Sequence, residues 1–418
     1  IVVIILYFME DSMKKLKEFL KKSHGMLAFF AAVALLCSLF AAIVNTSFFS
    51  VKVTKVKVDI DQFYEEHADI DNPVSSRRDG EGNYKKIDAK LVGNLYMPKG
   101  VDKDHPAPCV ILTHGYLNSK EFEEAPAIEM SRRGYVVFAF DQYDHGESTW
   151  DTSKTGSFSF FMHSVFDAVQ YMYEQEYVLK AADGTGMISV SGHSMGGFSS
   201  EAASVADGMI AAFGGSQKIC ACLAVGADWM YLGGPALMPY LGSKTCGTIA
   251  GVYDEFFFDT ASEATGETVR RKHYCSDPTG MAFLGVSEPG ESGKIYDVAG
   301  GGQRVIYEVA GDHPYNTWSP EATSKMIEFY NQAFAHQAEL HNAQLPELKT
   351  NLKGQSWWLK EVFTCIGMIA FVGVILMLAL TLVKLPFFKD VVTPAESITV
   401  AQPTSLVRKI VGWVVAGV

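Results

Sequence analysis

The sequence has no C-x-x-C pair and no H-E-x-x-H segment, so the common zinc frameworks are excluded and no metal is assigned. Its seven cysteines give no disulfide framework. Cys246 and Cys275 could bridge in an oxidising exterior, while Cys220 and Cys222, two apart in an apolar run, are expected on one side of a buried strand. Positive charge is scarce. Against 47 Asp and Glu stand 35 Lys and Arg, a formal net charge of -12, which argues against a nucleic-acid surface. Internal repeats and low-complexity linkers are missing too. Gly300, Gly301 and Gly302 precede a strand pattern and do not open a helix, so they form a flexible turn and not a phosphate loop.

Apolar sequence is abundant, at 48% of 418 residues, enough for a large core. Two segments without charge, 26–44 and 362–383, are each long enough to cross a bilayer, since ~20 residues at ~1.5 Å rise span its hydrocarbon layer. Lys14, Lys15, Lys17, Lys21 and Lys22 precede the first, and Lys384, Lys389, Arg408 and Lys409 follow the second, which assigns both flanks to the cytoplasm. Expected domains are therefore a basic segment plus span over 1–51, an extracytoplasmic domain over 52–350, and a second span within 351–418. A further span is expected to begin at 410–418, and Met9 or Met13 is the expected start. A cleaved signal peptide competes as a reading of the first span, but the second would still hold the protein in a multi-pass or anchored state. Between Lys52 and Leu359, 25 Lys and Arg face 41 Asp and Glu, and a loop of that length does not alter orientation.

The outer region opens with "VKVTKVKVDI" and "KIDAKLVGNLYM", whose alternation is that of strands with one wet face. The runs "CVILT", "YVVFAF", "MISVS", "ICACLAVG", "GTIAGVY" and "RVIYEVA" are instead continuously apolar, as in a sheet covered on both faces. Helical patterns separate them, among them "APAIEMSRRG", "FMHSVFDAVQYMYEQ" and a last helix that Ser319 caps and Pro320 opens. Strands alternating with helices predict an α/β fold with a mostly parallel, doubly wound sheet.

Gly192-His193-Ser194-Met195-Gly196 joins a predicted strand to a predicted helix, an arrangement that presents a serine oxygen on a tight turn near a positive helix end. A serine hydroxyl needs a base, and the base needs an acceptor that fixes its tautomer. His313 follows the last strand and is the preferred base; His24, His273, His336 and His341 read as solvated, His163 as a helix residue and His193 as packing at the turn. Asp254 ends a strand between those of Ser194 and His313 and is the preferred acid, with Asp228 as the alternative, Glu255 behind it, and Asp312 shaping its own turn. Backbone N–H groups of Met195 and Tyr116, the latter after His114-Gly115, are the expected oxyanion donors.

The segments "GNLYMPKG", "PCVILTHGY", "GYVVFAFDQYDHGES" and "GHSMGG", in this order over residues 86 to 334, resemble α/β-hydrolases of the dienelactone hydrolase and esterase/lipase type. The resemblance implies an α/β-hydrolase fold and the order nucleophile, acid, histidine, matched by Ser194, Asp254 and His313, with Tyr116 and Met195 giving oxyanion N–H groups. Asp144-His145-Gly146 resembles the family's D-x-G-H-G loop, which is structural. Serine replaces the cysteine of true dienelactone hydrolases, which favours ester hydrolysis. The expected activity is a serine esterase needing no cofactor and acting on small-molecule or lipid esters at the membrane. A peptidase, an acyltransferase or a non-catalytic hydrolase-like module are the alternatives. "DWMYLGGPALMPYLG" is expected either to wall an acyl site or to pack as core.

Overall fold

The computed structural model describes residues 22–67, 86, 88–150, 160–229, 236–256 and 273–391. Lys14, Lys15, Lys17, Lys21, Arg408, Lys409, the segment 410–418 and part of the expected acyl wall, 230–235, lie outside them.

The elements follow in order: α1 (Ser23–Asn45), β1 (Val51–Asp59), α2 (Ile60–Glu66), β2 (Lys90–Pro98), β3 (Cys109–Thr113), α3 (Glu124–Ser131), β4 (Val136–Asp141), α4 (Phe160–Tyr173), β5 (Ile188–His193), α5 (Met195–Ala212), β6 (Ile219–Val225), β7 (Thr245–Gly251), α6 (Pro278–Leu284), β8 (Tyr296–Asp297), β9 (Gln303–Val309), α7 (Tyr315–Trp318), α8 (Pro320–His341) and α9 (Trp357–Leu382). One nine-stranded sheet has the order β1-β2-β4-β3-β5-β6-β7-β9-β8. From β4 through β9 neighbouring strands are parallel, while β1, β2 and the short β8 add antiparallel edges.

Every residue of β3, β4, β5, β6 and β7 is buried, because helices cover both faces of the sheet. One apolar layer joins Val165 and Val169 of α4 and Ala203 of α5 to Ile111 and Val190. The opposite layer joins Ala127 and Met130 of α3 and Met326 and Phe329 of α8 to Val110 and Leu223. Ser319 caps α8 by accepting from Ala322 N at 3.3 Å, with Pro320 in its first turn.

Two expectations are corrected. β1 alternates as a half-wet strand, but β2 is mostly buried: it lies between β1 and β4, with Leu91 in one apolar layer and Tyr96 in the other. Cys220 and Cys222 fall in opposite layers, because the β5–β6 register shifts between Ile188 and Ser189 and Cys220 takes no partner there. Such an irregularity inserts one residue and reverses the side alternation. All seven cysteines are free, Cys246 and Cys275 included.

The chain divides into two compact units, Ala41–Glu361 and a second formed by Ile1–Phe40 with Val362–Val418. In the second, α1 and α9 pack closely: Phe40 and Phe363 stack at 5.2 Å, and a Cβ on Gly373 would lie 2.6 Å from the Phe30 ring. Both helices are long and apolar enough to cross a membrane, and only 11% of each apolar window is buried, unlike a core helix. The first turn of α9 belongs to the larger unit, where Glu129 Oε1 accepts from the backbone N–H of Ser356 at 2.7 Å and Trp357 at 3.1 Å.

Candidate active site

β5 ends at His193, α5 begins at Met195, and Ser194 between them has φ 55° and ψ −118°. A side-chain-bearing residue at positive φ costs about 1–3 kcal/mol, so its surroundings must enforce it. They do so through backbone crowding. A Cβ on Gly192 would lie 2.5 Å from Gly196 O, and one on Gly196 would lie 2.5 Å from Thr113 O and 2.6 Å from His114 O. Ser194 N also donates to Val225 O at 2.8 Å, fixing the turn to β6. Ser194 is half-buried, beside the N-terminal turn of an 18-residue helix.

Loops after β7 and β9 bring Asp254 and His313 together. The Nδ1 of His313 stands 2.7 Å from Asp254 Oδ1 and 2.8 Å from Oδ2, both residues being buried. A carboxylate only accepts, so Nδ1 carries the proton and Nε2 keeps its lone pair. Asn316 Nδ2 donates to Asp254 Oδ2 at 3.0 Å, and Phe256 N donates to Oδ1 at 2.9 Å. Gly226, at φ 59°, leaves no room to spare: a Cβ there would lie 3.1 Å from Asp254 Oδ2 and 3.2 Å from the His313 ring. Glu255 Oε2 accepts from His313 N at 3.0 Å.

His193 links this pair to the serine turn. Its Nε2 donates to His313 O at 2.7 Å and the two rings lie 4.5 Å apart, so the neighbour of Ser194 touches the histidine directly. Burial first, and the positive field of His313 second, push the His193 imidazole down to about 3. It is a neutral donor at physiological pH.

The loop after β3 lies against the same turn, since a Cβ on Gly115 would come within 3.3 Å of Ser194 Cβ. Gly115, which Tyr116 follows in the chain, thus lies against Ser194, which Met195 follows. His114 Nδ1 donates to Gly115 O at 2.7 Å while its Nε2 accepts from Gln142 N at 3.1 Å, and burial pushes this imidazole down to about 4. Gln142 in turn donates from Nε2 to His114 O and accepts from Ser199 Oγ of α5 at 2.9 Å, tying loop and helix together. His145 donates from Nδ1 to Tyr143 O at 3.0 Å and accepts at Nε2 from Leu117 N at 3.1 Å. Asp141 accepts from Lys120 N and Nζ, each at 2.7 Å, and from Glu147 N at 2.9 Å. The segment 141–147 is thus the scaffold on which the loop of Tyr116 rests.

The other candidates sit elsewhere. Asp228 accepts from the Tyr274 hydroxyl and has no bond to His313 among the described residues. Asp312 Oδ1 accepts from Tyr315 N at 3.0 Å within its own turn. His336 faces Gly301 O and His341 faces Asp183, both on α8. Asn316, Gln142 and the donor role of His193 were not read from sequence. Asn316 left one usable trace, its place three residues after His313 at the start of a short helix.

A sequence-family profile described as serine aminopeptidase, S33, matches residues 104–208, the stretch from before β3 into α5. A search of curated protein sequences gives no match. Among solved structures the chain is similar to Est1E from Butyrivibrio proteoclasticus with bound ferulic acid, at 17% identity and TM-score 0.39, covering 60% of this chain and 98% of that one. It is similar to a dienelactone hydrolase from Anabaena variabilis at 15% identity and TM-score 0.39, covering 69% and 98%. A membrane phospholipase A described as a bacterial virulence factor gives 11% identity and TM-score 0.39, covering 79% and 98%. The profile's match takes in the β5–α5 turn with its glycine-flanked serine, so over residues 104–208 the chain is similar to that family.

Proposed function

We propose that the protein is a membrane-anchored serine esterase that cleaves carboxylic esters outside the cytoplasm through an acyl-enzyme on Ser194. The observation that carries this reading is the two-oxygen contact of Asp254 with His313 Nδ1 at 2.7 and 2.8 Å, one side chain away from the strained Ser194 turn. His313 Nε2 takes the proton of Ser194 Oγ as the oxygen attacks the ester carbonyl carbon. The oxyanion receives the N–H groups of Met195 and Tyr116, each such donor being worth ~10²–10³ in rate. His313 then protonates the leaving alcohol, and a water molecule deprotonated by the same nitrogen releases the acid and restores Ser194. Asp254 orients the ring and stabilises the imidazolium throughout.

Ser194 Oγ makes no hydrogen bond to His313 among the described residues; such bonds commonly tighten only when substrate is bound. Aromatic rings border the histidines, with Phe122 at 5.2 Å from His193 and 5.8 Å from Trp318, and Phe256 at 5.0 Å from His313. These give the acyl or alcohol part of an ester an apolar surface. α1 and α9 serve as membrane spans, with the lysine-rich flanks in the cytoplasm and the hydrolase domain on the other side.

The description of the matching profile favours one rival, a serine peptidase. Fluorophosphonate labelling of the full chain in nanodiscs tests the common step, and short and long p-nitrophenyl esters set against aminoacyl and peptide amides separate the two. Labelling of the native protein but not of Ser194→Ala, with esters turned over and amides untouched, is the expected result. Equal labelling of both proteins overturns the mechanism. Turnover of amides in preference to esters overturns the substrate class alone.

A further inference from the structure

The turn that leaves α1 is left-handed at three residues in a row: Ser47, Phe48 and Phe49 have φ of 47°, 55° and 65°. A Cβ makes that conformation unfavourable, most of all on a bulky residue, and glycine is the usual occupant. The hydrogen bonds are those of a common helix end. Ser47 N donates to Val44 O and Phe48 N to Ile43 O, each at 2.8 Å, a pattern in which glycine normally stands where Ser47 does. Val51 N then donates to Thr46 O at 3.0 Å, closing the turn as β1 starts.

Backbone geometry therefore gives no reason for two phenylalanines here, and neither does the core. Such helix ends favour one apolar residue at the place of Phe48, against the helix. Both rings nevertheless stay exposed, Phe48 at 60% and Phe49 at 62%, and neither joins an apolar cluster of the larger unit. Along the chain they continue the exposed apolar surface of α1, on which Leu35, Leu36 and Leu39 stand open. The first charge after the helix is Lys52.

Depth is set by the bond from Phe48 N to Ile43 O, which keeps the turn against the last apolar residues of the helix. One helical turn, ~5 Å, is no more than the polar layer on either side of a bilayer's hydrocarbon, about 5–7 Å. Trp and Tyr are the usual residues at that depth because each carries a polar group for the headgroups. Phenylalanine has none, so its ring goes to the apolar side. We propose that Phe48 and Phe49 insert into the leaflet at the C-terminal end of α1, so that the lipid-facing surface ends between Ser50 and Lys52 and not with the helix at Asn45. The partner of this turn is the lipid surface itself, and transfer of two phenyl rings out of water offsets the left-handed backbone. The proposal rests on the reading of α1 as a membrane span and is independent of the chemistry at Ser194.

The test places 4-trifluoromethylphenylalanine, close to phenylalanine in shape, at position 48 or 49 of the full chain in phosphatidylcholine nanodiscs. Broadening of its fluorine signal by dissolved oxygen, which concentrates in lipid, is compared with broadening by a nickel chelate, which stays in water. The same label at Leu35, in mid-helix, and at Phe213, 88% exposed just after α5, gives the two limits. Oxygen broadening should exceed nickel broadening at 35, 48 and 49, with the reverse at 213. Nickel in excess at 48 or 49 while 35 favours oxygen overturns the insertion and leaves the span standing. Nickel in excess at 35 removes the span as well. Shielding of 48 and 49 from both agents means burial against protein, which also overturns the proposal.

Discussion

Asp254 and Glu201 are both buried carboxyls of the larger unit, and they are treated in opposite ways. Asp254 collects donors from His313, Asn316 and the Phe256 backbone. Glu201 collects none. The first environment complements a carboxylate and uses it to aim an imidazole; the second leaves hydrogen-bonding capacity unmet. Burial alone therefore does not identify an acid that works within the protein. The donors around it do.

The largest expected effect breaks the comparison at Asp254. Asp254→Asn should lower kcat for a p-nitrophenyl ester by ~10⁴-fold, because an amide at this place permits the wrong imidazole tautomer. Asp228→Asn, which alters the carboxyl beside Glu201, should stay within a few fold. Steady-state kinetics of the two variants decide the matter, and a larger loss for Asp228→Asn would exchange their roles.

Glu123 sharpens the contrast from the unpartnered side. It is buried just after the loop of Tyr116, its Oε1 has no partner, and burial pushes its carboxyl up to about 8. The folded protein thus keeps a proton that the unfolded chain releases near the ordinary carboxyl range. The stabilising difference is fully present below that range and is lost as pH rises toward about 8. Each tenfold change in proton affinity is worth ~1.4 kcal/mol, which makes the loss on the order of a few kcal/mol. Glu123→Gln should remove it. The melting temperature of the native chain should fall more between pH 5 and 8 than that of the variant, and parallel curves would contradict the assignment.

A smaller effect probes how tightly the partnered side is built. Gly226→Ala puts a side chain at φ 59° and against both Asp254 and His313. The left-handed backbone alone costs about 1–2 kcal/mol. Lower thermal stability together with reduced kcat is expected, whereas loss of stability without loss of kcat would show that the pair tolerates displacement.

The same difference explains what could be read from the sequence. Continuously apolar runs marked the buried strands, and the spacing of glycines around Ser194 marked the turn, because both follow from local backbone geometry. Position along the chain also pointed to Asp254 and His313, since loops at the ends of parallel strands converge. Asn316, Gln142 and His193 were not legible in their roles: each acts through a contact made across the fold, as between Ser199 and Gln142, 57 positions apart. The irregularity at Cys220 was equally hidden, because a shift of strand register depends on the neighbouring strand and not on the residue itself. Glu201, seven residues after the serine, has nothing in its sequence neighbourhood that marks its burial.

Asn316 supplies the finest test of the comparison, because removing it takes away one of the donors of Asp254 and leaves the others in place. Asn316→Ala moves Asp254 one step toward the condition of Glu201. A lost bond to a charged acceptor is worth about 1.5–3 kcal/mol, of which water entering the small gap recovers a part, so a decrease in kcat of about tenfold is expected. If Asn316 acts by holding the carboxylate against the ring, KM should change little and the acid limb of the kcat–pH profile should move, because the stability of the imidazolium depends on the charge beside it. Asn316→Asp offers an acceptor in place of the donor and should be worse than Asn316→Ala, through repulsion between carboxylates. Equal kinetics for the two variants, with an unmoved pH profile, would reduce Asn316 to a packing residue of the α7 turn.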